Sequence, residues 1–574
     1  MRKITLLSER TINQIAAGEV VERPLSIVKE LVENSIDAKA DSISIDIING
    51  GKSKITIKDN GCGMSEEDLF MSLERHATSK INSIEELTSL STMGFRGEAI
   101  PSIAAVTHFS ISSATEHGSG FSIQLKNGKI TGNRPVSMSK GTEIIAENLF
   151  HNVPARKKFL KSDDRESALI RELVQKFAIT HPGIGFSLDH NGKNIFTYRK
   201  DATAVERISS VWKISSEKFS RSSVSTEEVT IEAFVPSPFE QVPAISVISV
   251  NDRIVSDRQI NSAIFKTFRE NIGGDFKSPV VLFLKTAAGF TDINVHPSKL
   301  EVRFVKPSLV FQLIGNSISE ALRSFREKKE TINESRSYEK DSLIHGSISG
   351  MQPSFVAENQ NIFDYGKEAG ISNPENDPSY SFKFRDYKKI GMVFGIYQII
   401  ETKDAVIFLD LHASHERITF SNLTERIKLK NGLSQVLIAP QIIKVSPTEI
   451  AEFNEHSGLF NENGFSIENF DENSLIMRSV PALGFDTDWA GTVREILGQM
   501  IHEGSTDILN EKFLYFIASN ACKSSVKRND HLSDIEIDHL INDINNSNVL
   551  TCPHGRPFFF TVSRNEFEKR VQRR

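Results

Sequence analysis

Glu30, Glu33, Asn34 and Asp37 stand three or four residues apart in the run Lys29-Glu30-Leu31-Val32-Glu33-Asn34-Ser35-Ile36-Asp37-Ala38. That spacing lines side chains along one face of a helix. A carboxylate and an amide one turn apart suit a general base that orients water and an oxygen ligand for a divalent cation. An amphipathic helix with a solvated face would carry the same ridge. Downstream, Asp59-Asn60-Gly61-Cys62-Gly63 places a carboxylate ahead of two glycines. The carboxylate suits an adenine amino group, and Gly61 and Gly63 let the chain pass close under a planar ligand. A tight turn after a strand would read the same way. Gly94-Phe95-Arg96-Gly97-Glu98 then opens a predicted helix, where free backbone amides can cradle phosphates. Thr78, Ser79 and Lys80 add hydroxyls and a positive charge, and the long segment between reads as a lid.

The elements that must position these groups follow from periodicity. Ile27, Val28, Leu31, Val32 and Ile36 recur at three- and four-residue intervals and predict a helix buried on the face opposite the ridge. Ser42 to Asp46 and Ser53 to Lys58 alternate polar with apolar, predicting neighbouring strands, the second ending in Asp59.

A second constellation lies near the other end. Val393 to Ile400 and Ala405 to Leu409 read as a strand pair that delivers Asp410. If a helix starts there, His412 and Glu416 share a face one turn apart. Cys522, Cys552 and His554 supply two thiols and an imidazole. Mixed ligands of this kind suit Zn²⁺ or Mn²⁺, and two such ions activate water against a phosphodiester. A buried small thiol and surface histidines are the simpler alternative.

Taken together, Asn13 to Pro24, Glu30 to Asp37, Asp59 to Gly63 and Gly94 to Glu98 resemble the MutL family of DNA mismatch repair ATPases. The nucleotide fold is shared with gyrase-type topoisomerases, Hsp90 and histidine kinases. The resemblance extends to Gly141-Thr142, which closes the adenine pocket in the family, and to Asn148 through Phe159. It implies Glu30 as the base, Asn34 as the Mg²⁺ ligand, Asp59 on adenine, and Gly94, Phe95, Arg96, Gly97 and Glu98 on the phosphates. Asn294 through Phe304 matches a signature in which the lysine, here Lys299, reaches the γ-phosphate. Where the family usually has Val-Asn-Gly-Arg, this chain has Val250-Asn251-Asp252-Arg253.

In the C-terminal part the resemblance is to endonuclease-type members. Asp410, His412, Glu416, Cys522, Cys552 and His554 match the expected ligands. Leu411 replaces a glutamine and Ser421 stands where a second glutamate is expected, with Glu425 a turn later. Gln435-Val436-Leu437-Ile438-Ala439-Pro440 resembles the family's sliding-clamp motif, resting on Gln435, Ile438 and Pro440, although a strand end would look alike. The implied partners are double-stranded DNA, the mismatch sensor MutS, the clamp and a second copy of the chain.

At 574 residues the chain is too long for one core. Its expected fold class is α/β multidomain: a GHKL (Bergerat) ATPase α/β sandwich over 1–210, a ribosomal-protein-S5-like α/β domain over 211–327, a flexible linker over 328–387, and a C-terminal α/β dimerisation domain over 388–574. In the second domain, strands at Val229 to Phe234, Ile245 to Val250 and Val280 to Leu284 surround a helix near Asp257 to Phe268. The linker rests on its Ser, Asn, Glu, Gly and Pro content. A formal charge of -6 excludes a generally basic, histone-like protein but leaves room for a local groove. Arg156, Lys157, Lys158, Arg253, Arg258, Lys266 and Arg269 are the candidates for it. With no signal peptide, no membrane-spanning run and three cysteines, the expected location is the bacterial cytoplasm, nucleoid-associated during repair. The leading expectation is an ATPase clamp with metal-dependent nicking. A non-nucleolytic matchmaker is the alternative. A topoisomerase would need a strand-cleaving tyrosine domain, and a chaperone leaves the metal-type cluster without a purpose.

Overall fold

The computed structural model describes residues 20–75, 77–79, 97–238, 240, 242, 245–272, 279–292, 302–337, 384, 386–428, 434–482, 488–503, 515, 532–547, 551–552 and 557–571. Two compact units emerge. One is Met1–Asn333 with Pro440–Ser457 and Ile467–Met477; the other is Glu334–Ala439, Gly458–Ser466 and Arg478–Arg574.

The first unit opens with α1 (Pro24–Asp37). Arg23 is extended and Pro24 occupies the first turn, where its missing N–H costs nothing. Ile27, Val28, Leu31 and Val32 are fully covered, each worth about 1.5–3 kcal/mol of burial. Strands β1 (Ser42–Ile48) and β2 (Lys54–Asp59) follow as an antiparallel pair, with Ile45 opposite Ile57. After α2 (Ala99–Val106) come β3 (His108–Glu116), β4 (Ser119–Lys126), β5 (Lys129–Val136) and β6 (Gly141–Glu147). Next are α3 (Asp163–Thr180), β7 (Gly185–His190), β8 (Lys193–Tyr198) and α4 (Ala204–Trp212). The eight strands form one mixed sheet ordered β5-β4-β3-β6-β2-β1-β7-β8. Helix α1 packs against α2, α3 and β2. Glu166 on α3, fully buried, takes both Arg23 Nη2 at 2.9 Å and Arg23 Nε at 3.2 Å, which ties down the start of α1.

A five-stranded sheet ordered β12-β11-β13-β10-β9 follows. Its members are β9 (Phe219–Ser225), β10 (Val229–Pro236), β11 (Val247–Val250), β12 (Arg253–Ile254) and β13 (Val281–Thr286). It packs with α5 (Arg258–Ile272) and the long α6 (Pro307–Ser337), between which the chain forms a short antiparallel pair, β14 (Thr291–Asp292) and β15 (Arg303–Phe304). The predicted strands and helix of this region are all present. Phe219, Phe234, Val247 and Val281 belong to the same core as α1, and the Trp212 indole donates to Ile245 O at 3.0 Å. Helix α6 runs ten residues past 327, where the linker was expected to begin. The remainder of the expected linker lies outside the described residues, apart from 384 and 386–387.

In the second unit, β16 (Lys388–Val393), β17 (Tyr397–Glu401), β18 (Ala405–Asp410) and β22 (Phe559–Ser563) form a sheet in that order. The single strand expected over Val393 to Ile400 is instead a hairpin. Phe394 and Gly395 turn with φ of 55° and 70°, which no extended strand accommodates. Helices α7 (Leu411–Lys428) and α10 (Asp534–Asn546) cover one sheet face through Ile400, Ile407, Leu409, Ile418, Leu540 and Ile541. Between α7 and α10 along the chain come β19 (Ser434–Lys444), α8 (Pro447–Glu462), β20 (Ser466–Asp471), β21 (Ser474–Pro481) and α9 (Trp489–Glu503), of which Pro440–Ser457 and Ile467–Met477 belong to the first unit; the three strands are ordered β19-β21-β20. No described helix is long and apolar enough to cross a membrane.

Candidate functional site

The first site is built where β2 ends against α1. Ser35, buried at the last turn of α1, donates from Oγ to Asp59 Oδ2 at 2.9 Å. The amide of Gly61 donates to Asp59 Oδ1 at 2.9 Å, and the Thr142 backbone, paired with Asp59 across β2 and β6, also helps hold the carboxylate. Burial nevertheless wins and raises the Asp59 pKa above the ordinary carboxylate value. Ser113 Oγ lies 3.0 Å from Thr142 Oγ1 and donates to Gly141 O at 3.0 Å, fixing the wall opposite. Gly63 has φ of 70°, and a Cβ there would come within 2.0 Å of Ala114 O. The backbone therefore runs against β3 with no room for a side chain. Asn60 points away, bonding the amides of Asp41 and Ser42 at 3.0 Å each.

Along α1 from this carboxylate, Glu30, Glu33, Asn34 and Asp37 are half-buried on one ridge, as their spacing predicted. Helix α2 begins without a side-chain cap, leaving its N-terminal amides to other acceptors. Gly97, with φ of 63°, would drive a Cβ to 2.3 Å from Ala77 O, so the segment bearing Thr78 and Ser79 lies directly against the entry to α2. Thr78 is half-buried and Ser79 exposed. Lys80, Gly94, Phe95, Arg96 and Lys299 lie outside the described residues.

The C-terminal constellation is looser. Asp410 ends β18, and His412 and Glu416 follow on α7 as expected. Asp410 Oδ1 accepts the Ala413 amide at 2.9 Å, so this carboxylate caps its own helix. His412 is exposed and Glu416 half-buried. Arg417 donates to Thr551 O at 2.5 Å and Cys552 O at 2.6 Å while covering the Phe420 ring, which brings the buried Cys552 to α7. Cys522 and His554 lie outside the described residues. Among the described residues no three His, Cys, Asp or Glu side chains converge to hold a metal. Ser421 is half-buried and Glu425 exposed. The stretch Gln435 to Pro440 lies on β19, an edge strand, with Gln435 and Pro440 exposed and Ile438 projecting fully into solvent.

Three family comparisons divide the chain at these same features. Residues 23–157 match the family described as histidine kinase-, DNA gyrase B-, and HSP90-like ATPase. Residues 212–323 match the DNA mismatch repair protein C-terminal domain, and 390–532 match the MutL C terminal dimerisation domain. The DNA mismatch repair protein MutL of Dictyoglomus thermophilum is 36% identical over 586 residues, covering 100% of both chains. The chain belongs to the MutL family. MutL of Clostridium tetani is 32% identical over 620 residues, again covering 100% of both. Among solved structures, the Aquifex aeolicus MutL ATPase domain complexed with ADP is 28% identical, covering 52% of this chain and 98% of that one, with a TM-score of 0.38.

This MutL-family chain thus has a GHKL-type ATPase domain, an S5-like domain and a C-terminal MutL dimerisation domain. Several residues that shape the sites carry no motif weight. Ser35 stands inside the quoted helix, but only the packing of α1 on β2 turns it to Asp59. Ser113 and Arg417 gave no signal, because their partners are distant in the chain. Arg253 on β12 is half-buried, and burial lowers its pKa while Glu33 and Asp37 oppose the shift, whereas Lys157, Lys158, Arg258, Lys266 and Arg269 are exposed. Arg156 donates to Val21 O at 3.3 Å.

Proposed function

We propose that this MutL-family mismatch repair protein turns over ATP in its first unit to drive a homodimeric clamp on double-stranded DNA. The supporting observation is the Asp59 carboxylate, held by Ser35 and Gly61 beside the Thr142 wall and in line with the Glu30–Asn34 ridge. Asp59 accepts the adenine amino group, with Gly61, Gly63 and Thr142 shaping the pocket. Thr78, Ser79, Lys80 and the Gly94, Phe95, Arg96, Gly97 and Glu98 loop hold phosphates, and Lys299 meets the γ-phosphate. The uncapped start of α2, against which Gly97 leaves no room for a side chain, fits a phosphate. Asn34 would hold Mg²⁺, which neutralises phosphate charge when bound. Glu30 takes the proton of the attacking water. Glu30→Ala is expected to keep ATP binding and lose hydrolysis by roughly 10²-fold or more. Turnover at the wild-type rate would remove the base assignment.

Dimerisation uses the sheet face opposite α7 and α10. Ile399, Phe408 and Phe560 lie side by side there, Phe408 and Phe560 stacked at 4.6 Å, with Phe560 58% exposed. Gln435, Ile438 and Pro440 engage the sliding clamp from an exposed edge strand, and MutS supplies the mismatch signal. The site of action is the cytoplasm, at the nucleoid. A second reading, DNA nicking with Mn²⁺ or Zn²⁺ at Asp410, His412, Glu416, Cys522, Cys552 and His554, is favoured by Arg417 drawing Cys552 onto α7. The described donors do not converge and Asp410 serves as a cap, so no step is assigned to a metal. Otherwise the chain acts as a matchmaker that recruits a separate nuclease.

A further inference from the structure

Asp59, Thr142 and Ser113 stand in one row across β2, β6 and β3, with Thr142 opposite Asp59 on one side and opposite Ser113 on the other. Directly opposed residues turn their side chains to the same face of a sheet, about 4.5–5.5 Å apart at Cβ. The row therefore runs from the pocket carboxylate to a hydroxyl, and from that hydroxyl to a second one behind it. Ser113 is 1% exposed and Thr142 8%.

Three contacts meet at Ser113 Oγ, and together they fix where its proton goes. The Met64 amide, just past the Asp59–Gly63 turn, donates to it at 2.9 Å. Gly141 O, which can only accept, lies 3.0 Å away, and Thr142 Oγ1 is also at 3.0 Å. A hydroxyl has one proton to give and two lone pairs with which to receive. Were the Ser113 proton directed at Thr142, two acceptor oxygens, Ser113 Oγ and Gly141 O, would face each other inside the core. One assignment makes all three contacts hydrogen bonds: Ser113 donates to Gly141 O, and Thr142 donates to Ser113.

Thr142 has then committed its only proton, and Oγ1 keeps lone pairs alone for whatever lies beside Asp59. The Asp59 carboxylate, bonded by Ser35 and the Gly61 amide, is an acceptor too. A purine with a 6-amino group brings two N–H donors to such a wall, whereas one with a 6-oxo group brings a further acceptor. Sites whose buried polar groups demand a partner reject the ligand that cannot supply it. We propose that Ser113 is a positioning residue that determines base specificity: by taking the Thr142 proton it fixes Thr142 as an acceptor beside Asp59, so that the pocket favours a 6-amino purine over a 6-oxo purine. The proposal rests on Asp59 being the adenine carboxylate.

The test is the Kd of the full-length protein for ATP and for inosine triphosphate, each with Mg²⁺, measured by titration calorimetry. Inosine triphosphate carries the 6-oxo group without the 2-amino group of guanine. In Ser113→Ala the Thr142 proton loses its acceptor and turns to the ligand, so the preference for ATP is expected to fall about threefold to tenfold, the scale of one hydrogen bond. In the Thr142→Val background the same substitution is expected to leave the preference where it stands. A merely structural loss weakens both nucleotides alike, and that unchanged ratio overturns the proposal, as does a ratio that falls equally in both backgrounds. If Ser113→Ala shows no melting transition, Thr142→Val alone carries the test: deleting the fixed acceptor is expected to lower the preference, and an unchanged ratio overturns it. Asp59→Asn separates the two failures. Weakened ATP binding there, beside an unchanged ratio in Ser113→Ala, sinks the role of Ser113 alone, whereas wild-type ATP affinity sinks the adenine assignment beneath it.

Discussion

The nucleotide pocket and the C-terminal cluster both follow from motif spacing, yet the structure treats them differently. At the first, the polar groups are locked by the framework: Asp59 is bonded by Ser35 and Gly61 and lies opposite Thr142 in the sheet register. At the second, Asp410 caps its own helix and His412 lies exposed, while a single arginine, Arg417, brings the Cys552 segment to α7. The difference lies in what carries each group. Residues on adjacent, densely packed elements are preorganised without a ligand. Residues on a helix start and a distant segment are brought close by a few hydrogen bonds.

Breaking each region should expose that contrast. The largest expected effect is at the second unit's sheet face that carries Phe408 and Phe560. Phe560→Glu puts a charge into the Phe408 stack and is expected to weaken self-association roughly a hundredfold, the scale of an aromatic anchor, leaving ATP turnover per chain intact. Light scattering across concentration checks it, and an unchanged dimer would move the interface elsewhere. A smaller effect is expected for Arg417→Ala, which removes two charge-assisted bonds to Thr551 and Cys552. It should cost about 2–3 kcal/mol in the C-terminal unfolding transition without moving the ATPase rate; an unchanged transition would show that these two bonds carry no stability.

The smallest effect sharpens the first region. Burial raises the Asp59 pKa, so the folded protein holds that proton more tightly than the unfolded chain does. Its contribution is favourable below the unfolded carboxylate pKa and is lost as pH rises through the raised folded value. Asp59→Asn is therefore expected to raise the apo melting temperature slightly at neutral pH while weakening ATP binding. The gain should shrink as pH falls through the carboxylate range. A variant less stable than wild type at neutral pH would mean that Ser35 and Gly61 outweigh the burial cost.

Much of this was legible because local patterns and global packing agree. Helix α1 and strands β1 and β2 lie where the apolar spacing predicts. The β16–β17 hairpin was not legible, because an apolar run from Val393 to Ile400 carries no period that marks a turn at Phe394-Gly395. The half-burial of Arg253 on β12 was not legible either, because a sequence does not reveal which way a turn presents its arginine.

What the sequence by itself determined is the inventory of chemistry: Glu30, Glu33, Asn34 and Asp37 on one helix face and a carboxylate, Asp59, at a strand end, because helical and strand periods are local properties. Only the tertiary structure decided which groups share their charges. Ser35 meets Asp59 and Glu166 takes Arg23 across separations of 24 and 143 residues. Such pairings arise from the packing of whole sheets, and no short window of residues encodes them.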